Sequence, residues 1–220
     1  MTAHHWHQQT FWLTKERVMF WEEANTLIAS DLHIGKTGHF RKHGIAVPQD
    51  IYKEDMLRLF TAIQHFKPRQ FVIVGDLFHS HANKELNLFT RWRNDFADID
   101  FVLVKGNHDI LPKAWYQQNN ITVVDCLELN GLLLMHDKEC EPASPLDKDR
   151  VLGIISGHVH PAVVVRSGPR QEVRLPCFYF NGKQCILPAY SHFTGTFALK
   201  PQKQDTVFAI TQKEIMRLQF

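Results

Sequence analysis

Five apolar runs in this chain each break off at residues able to bind a metal ion. Ile28-Ala29-Ser30 leads into Asp31-Leu32-His33, and Phe71-Val72-Ile73-Val74 into Gly75-Asp76. Phe101-Val102-Leu103-Val104 leads into Gly106-Asn107-His108-Asp109, Leu132-Leu133-Leu134-Met135 into His136, and Val151–Ile155 into Gly157-His158-Val159-His160. Short apolar runs of this kind read as buried strands. Open α/β sheets collect their chemistry at the carboxyl ends of the strands. One Gly-Asp pair is explained as well by a turn as by a ligand. Repetition at five strand ends requires a fold that brings those ends together, with Asp76 in the middle of the set.

The order of elements sets the fold class. Phe11-Trp12-Leu13 and Val18-Met19-Phe20-Trp21 form a β opening around Lys15-Glu16, with His4, His5 and His7 before it as a solvated tail. Tyr52, Met56, Leu59, Phe60 and Ile63 recur at helical spacing over residues 50–66. Strand 71–74 follows, so strand, helix and strand predict a parallel pair with a right-handed crossover. A second helix spans 83–96, with Leu88, Trp92 and Phe96 on one face and Phe89 beside them; a short one covers 113–119. From residue 121 onward helical patterns nearly vanish and strands alternate with turns. Residues 139–150 read as a polar loop, Pro176 marks an edge strand or bulge, and Asn181-Gly182 marks a hairpin. The prediction is an α/β fold of two packed sheets with helices outside, in one domain spanning 1–220.

Composition removes several classes. The 220 residues are 44% hydrophobic with a formal net charge of +2, which suits a folded domain with a full core. No apolar run is long enough to span a bilayer, and the N-terminus lacks the pattern of a signal peptide. The expected compartment is the cytoplasm, without a membrane partner. Cys126, Cys140, Cys177 and Cys185 show no Cys-x-x-Cys spacing and read as free thiols. There is no P-loop, no dinucleotide fingerprint and no Gly-x-Ser-x-Gly turn, which argues against nucleotide-dependent transferases and serine hydrolases.

The polar set is Asp31, His33, Asp76, Asn107, His108, His136, His158 and His160. Carboxylate, carboxamide and imidazole together suit manganese, iron, zinc, nickel or magnesium. The set exceeds what one ion needs, so a two-metal site is expected, with an Asp bridging. Two ions about 4 Å apart share a hydroxide that attacks phosphorus in line and clamp the phosphoryl oxygens. Residues one apart on an extended strand point to opposite sides, so Asp31-x-His33 and His158-x-His160 require turns, for which Gly35 and Gly157 are candidates. The basic loop that follows, with Lys36, Arg41 and Lys42, is a candidate contact for substrate phosphate.

These motifs, in this order from residue 27 to about 160, resemble the signature of the calcineurin-like metallophosphoesterases. The resemblance implies a four-layer α/β/β/α sandwich. It implies one ion on Asp31, His33 and His160, another on Asn107, His136 and His158, and Asp76 between them. His108 would touch the phosphoryl oxygen or protonate the leaving group, and Asp109 would orient His108 by accepting its other ring proton. Ala29–Lys36, Phe40–Pro48, Gly75–Ser80, Gly157–Ala162, Leu175–Phe178 and Phe193-Thr194-Gly195 further resemble the bacterial DNA-ligase-associated metallophosphoesterases, the PdeM group. That narrower resemblance implies a manganese-dependent DNA endonuclease or phosphodiesterase in the DNA damage response, associated with a DNA ligase and a helicase and acting on single strands or ends. Two departures bear on substrate fit: Asp137-Lys138 where relatives carry Glu-Pro, and Tyr190-Ser191-His192 where relatives carry a small, glycine-containing run. The near-neutral charge keeps two other readings in play, a small-molecule or nucleotide phosphodiesterase or phosphatase of the same fold, and a metal-bound interaction module without turnover.

Overall fold

The structure, a computed structural model, describes residues 1–36, 50–78, 84–137, 151–166 and 172–220. The expected 139–150 loop lies outside these residues, as do Arg41, Lys42 and Cys140. The first sheet runs in strict chain order through β1 (Thr2–Trp6), β2 (Gln9–Leu13), β3 (Met19–Trp21), β4 (Thr26–Ser30), β5 (Gln70–Val74), β6 (Asp100–Val104) and β7 (Ile121–Val124). Pairing is antiparallel up to β4 and parallel from β4 to β7, with Ile28 opposite Val72 and Val72 opposite Val102. The switch follows from the connections. Tight turns join β1 to β4. Helix α1 (Asp50–Phe66) lies between β4 and β5, and α2 (Lys84–Asn94) between β5 and β6, and such crossovers return the chain in the same direction.

The second sheet is built from β8 (Leu127–Leu129), β9 (Leu132–Met135), β10 (Gly153–Ser156), β11 (Pro161–Arg166), β12 (Glu172–Asn181), β13 (Gln184–Ile186), β14 (Phe197–Ala198), β15 (Thr206–Ile210) and β16 (Ile215–Leu218). Its main path is β14-β11-β12-β13-β10-β9-β8, with β15 and β16 added beside β12. At its centre β10 runs parallel to both β9 and β13. The sheet is therefore mixed. Up to Pro176 β12 pairs with β11, and beyond it with β13 and β15. Among the described residues Pro176 pairs with Ala162 of β11 alone, so its missing N–H stands at a local edge, where the partner changes. The hairpin after Asn181 has Gly182 and Lys183 as its loop, and the Asn181 Oδ1 accepts from the Lys183 and Gln184 amides.

Alternation along the parallel strands gives each of them two buried faces. On one side Leu27, Ala29, Phe71, Ile73, Phe101 and Leu103 pack under Leu59 and Ile63 of α1, Phe89 of α2 and Tyr116 of α3 (Lys113–Gln118). On the other, Ile28, Val72, Val74 and Val102 meet Leu132, Leu134, Ile155, Phe178 and Phe208 of the second sheet. These are the two packed sheets and the α/β class expected. The helical stripes are narrower than their spacing suggests. Phe60 and Leu88 are exposed, while Phe89 is fully buried. Among the described residues no helix is long and apolar enough to cross a membrane.

The N-terminal histidines do not form a tail: His4 and His5 lie in β1 and His7 in the turn after it. His5 is exposed, whereas the His4 ring packs against Phe180 and Phe208, with centroids 4.4 and 5.0 Å away. Burial lowers its pKa to about 4, with Arg217 and His5 adding to the shift. Removal from water disfavours the charged imidazole, so the neutral form is preferred there.

Phe178 sits fully buried between the sheets. Phe178→Ala is expected to cost about 3–5 kcal/mol in urea denaturation, whereas Leu88→Ala on the exposed face of α2 stays within about 0.5 kcal/mol of the parent.

Candidate metal centre

The strand ends converge as their sequence demanded. Asp31 follows β4, Asp76 follows β5, His136 follows β9, and His158 and His160 follow β10. Asp31, His33, Asp76 and His136 are buried at the floor, while Asn107 and His158 face the open side. Two groups of donors lie within 4.8 Å of one another: Asp31, His33 and His160, and Asp31, Asp76 and His136. Asp31 Oδ1 is 3.1 Å from His160 Nε2. Asp76 faces both groups, with Oδ2 3.9 Å from His33 Nε2 and Oδ1 3.6 Å from His136 Nε2. His136 Nε2 is also 3.2 Å from Asn107 Oδ1 and 3.2 Å from His158 Nδ1.

The turns that permit this convergence are made by the site residues themselves. Asp31, His33, Asp76, His158 and His160 have φ of 53°, 46°, 50°, 66° and 51°. Gly157 does not have a positive φ; Gly35, at 90°, does. A left-handed residue bearing a side chain costs about 1–2 kcal/mol, and such strain gathers at functional sites. Glycine here also makes room, and Gly75, at φ 77°, does so from a left-handed position itself. A Cβ on Gly75 would lie 1.9 Å from the His136 Nδ1, and one on Gly106 would lie 2.3 Å from the Asp76 Oδ1. The imidazole and the carboxylate occupy the space those glycines leave.

Histidine tautomers test whether the donors fit a metal. His136 Nδ1 lies 3.2 Å from the Val74 carbonyl, and His160 Nδ1 lies 3.1 Å from the Gly195 carbonyl. A carbonyl only accepts, so each Nδ1 donates its proton, and each ring in its neutral, metal-binding form turns an Nε2 lone pair inward. Those lone pairs face carboxylate and carboxamide oxygens. Converging acceptors of this kind suit a cation, and a backbone carbonyl holding the far nitrogen is the usual support of a metal-ligating histidine. Divalent ions therefore fit the residues present.

Asp109 does different work from that implied by the resemblance. Its Oδ2 accepts from the Asp76 and Gly106 amides at 2.9 Å, and its Oδ1 from the Leu77 amide at 2.9 Å and the Phe78 amide at 3.4 Å. Four donors fill a carboxylate's acceptor positions. The side chain thus ties the ends of β5 and β6 together and fixes Asp76. Burial pushes its carboxyl up to about 6, the Asp76 charge adding to the shift against the backbone hydrogen bonds. His108 stands at the rim, half-buried, its amide donating to Asp76 Oδ1 at 2.9 Å and its ring centroid 5.6 Å from that of His33. Lys36 is half-buried; burial lowers its pKa against the pull of Asp31 and Asp76. Asp137 Oδ2 lies 4.0 Å from His158 Nε2.

Sequence reasoning missed the Val74 and Gly195 carbonyls, since any residue offers one. It had no cue to the room made by Gly75 and Gly106 beyond their place beside Asp76 and Asn107.

Two packed sheets with a buried carboxylate and imidazole cluster at the strand ends define a metallophosphoesterase. Residues 24–146 match the calcineurin-like phosphoesterase family, and the chain belongs to it. The family implies divalent metal use and hydrolysis of phosphoester bonds. The structure is similar to that of the Pseudomonas putida nuclease MPE, with 25% identity, 99% of each chain covered and a TM-score of 0.80. It is also similar to Yfce, a phosphoesterase from E. coli, at 14% identity, with 88% of this chain and 98% of that one covered and a TM-score of 0.41. No curated protein matches the sequence.

Gly75→Ala is expected to displace His136 and lower manganese affinity at least about 10-fold in calorimetric titration, the range seen when a ligand's support is disturbed. Gly182→Ala, where an added Cβ would meet nothing within 4 Å, leaves that affinity unchanged.

Proposed function

We propose that this chain is a two-metal phosphodiesterase acting on DNA, on single strands or ends, in the DNA damage response. The observation that carries the reading is the pair of inward Nε2 atoms on His136 and His160, held from behind by the Val74 and Gly195 carbonyls and set against the buried carboxylates of Asp31 and Asp76. Asp31, His33 and His160 hold one ion, Asn107, His136 and His158 the other, and Asp76, which faces both groups, is shared. Manganese is the proposed ion; iron, zinc, nickel and magnesium suit the same donors. Such ions, when bound, acidify water and polarise a phosphoryl oxygen.

The remaining work belongs to side chains at the rim. His108 protonates the leaving oxygen, since its ring stands beside His33 at the open side of the cluster. Lys36 meets a phosphoryl oxygen, and Arg41 and Lys42 extend that contact along the strand of DNA. Asp109 acts through Asp76, whose backbone it fixes.

DNA as substrate is supported by the likeness to the Pseudomonas putida nuclease and by the resemblance to the ligase-associated group. With that group come a single catalytic domain over 1–220, a cytoplasmic setting, and association with a DNA ligase and a helicase. The net charge of +2 favours a second reading, hydrolysis of small phosphodiesters or phosphomonoesters, because a nucleic-acid binder usually carries a basic surface.

Asp76→Asn and His108→Ala, assayed with manganese, test the enzyme. Asp76→Asn is expected to lose both metal and activity. His108→Ala keeps its metal and loses about 10²–10⁴-fold in rate, the usual share of a general acid. Wild-type protein inactive on every phosphoester with every one of these metals contradicts the reading. Cleavage of single-stranded DNA that weakens steeply with salt favours DNA, and turnover of small aryl phosphodiesters without any cut in DNA favours the second reading.

A further inference from the structure

The strap that follows β13 touches the candidate metal centre at two points. Leu187 donates its amide to the Ser156 carbonyl at the end of β10. The chain then crosses to the first sheet. Ala189 bridges Ser30, Tyr190 donates its amide to the Ser30 carbonyl at 2.8 Å, Ser191 donates to the Asp31 carbonyl at 3.4 Å, and the Ser30 hydroxyl donates to the Pro188 carbonyl at 3.2 Å. Further along, the Gly195 carbonyl receives the His160 Nδ1 proton, and the Phe197 amide donates to the His160 carbonyl at 2.9 Å. Asp31 and His160 thus lean on one segment. Among the hydrogen bonds of the described residues, none joins that segment to Asp76, Asn107 or His136.

Two arginines grip the strap. Arg17 Nη1 donates to the Ala189 carbonyl at 3.1 Å and the Ser191 carbonyl at 3.0 Å. Arg58 donates to the Tyr190 carbonyl at 3.0 Å, the Asp55 Oδ1 at 2.6 Å and the Glu16 carbonyl at 3.0 Å, and its guanidinium lies 4.4 Å over the Tyr190 ring. The Tyr190 hydroxyl closes the circuit by donating to the Asp55 carbonyl at 2.6 Å on α1. Tyr190 is almost wholly buried. Burial, with Arg58 close by, lowers the Arg17 pKa to about 10, so the Arg17 guanidinium remains charged at neutral pH. Desolvating two cations to hold three consecutive carbonyls is costly unless those carbonyls must keep one position. A strap that merely linked two sheets would not need it. Asp31 and His33 also hold left-handed backbone angles, and such angles persist only where the surroundings over-determine them.

We propose that Arg17, Arg58 and Tyr190 form a positioning clamp for the metal site of Asp31, His33 and His160, acting through the Pro188–Gly195 strap. This rests on the two-metal reading above. None of the three is a catalytic residue. Their role is to fix the Asp31 backbone and the tautomer of His160; Asp31 borders both donor groups but His160 only one, so their loss weakens the ion on Asp31, His33 and His160 more than the other.

The test is manganese titration of the intact chain, following stoichiometry and affinity by calorimetry, with melting of the metal-free protein alongside. In Arg17→Met and Tyr190→Phe, one of the two affinities is expected to fall about 10-fold or more while the other falls distinctly less, and Arg17→Lys recovers part of the loss. Tyr190→Phe removes a single oxygen and decides the matter if Arg17→Met does not fold. Two unchanged affinities in Tyr190→Phe, or equal weakening of both, overturn the clamp. Wild-type protein that takes up a single ion overturns the two-metal reading instead, and the clamp then stands or falls on whether Tyr190→Phe weakens that ion.

Discussion

Two carboxylates buried side by side, Asp31 and Asp76, set the terms for everything around them. Neither is open to water, and like charges in a low-dielectric setting disfavour each other strongly. The arrangement is tolerable only where cations or well-aimed donors meet both. Each group of donors that closes on them contains histidine, and the His158 amide donates to Asp31 Oδ2 while the His108 amide donates to Asp76 Oδ1. The backbone strain at the strand ends, the room left by Gly75 and Gly106, and the tie made by Asp109 all follow from holding these two acids in place.

That strain has to be resisted by something stiff. Asp31, His33 and Asp76 follow β4 and β5, strands buried on both faces between the helix-covered layer and the inter-sheet layer, and His158 and His160 follow β10, which packs into the inter-sheet layer through Ile155. Close-packed interiors transmit displacement rather than absorb it. A strand held by two cores presents its end residue at a fixed place, which a surface loop does not. The chain thus keeps its most costly conformations next to its most rigid elements.

The parallel strands and the residues at their ends were legible in the sequence because burial on both faces leaves unbroken apolar runs, and because a polar residue straight after such a run has few other reasons to be there. The same logic failed where a contact is made by shape or backbone. His4 reads as a surface residue, yet two aromatic rings from the second sheet cover it. Phe60 and Leu88 fit a helical stripe but lie beyond the edge of the packed face. Asp109 sits beside His108 in sequence, which suggested a bond between side chains, whereas the turn aims its carboxylate at four amides. Tyr190-Ser191-His192 stood out only as a departure from relatives. Its tie to Arg17 and Arg58 joins residues more than 130 positions apart in the chain, which no local pattern reveals.

The central claim is that two ions share Asp76 at the floor of the strand-end cluster. Anomalous scattering from crystals grown with manganese tests it most directly. The account predicts two peaks, one bounded by Asp31, His33 and His160, the other by Asn107, His136 and His158, with the Asp76 carboxylate between them. One peak alone, or two that leave Asp76 without an ion, would contradict it.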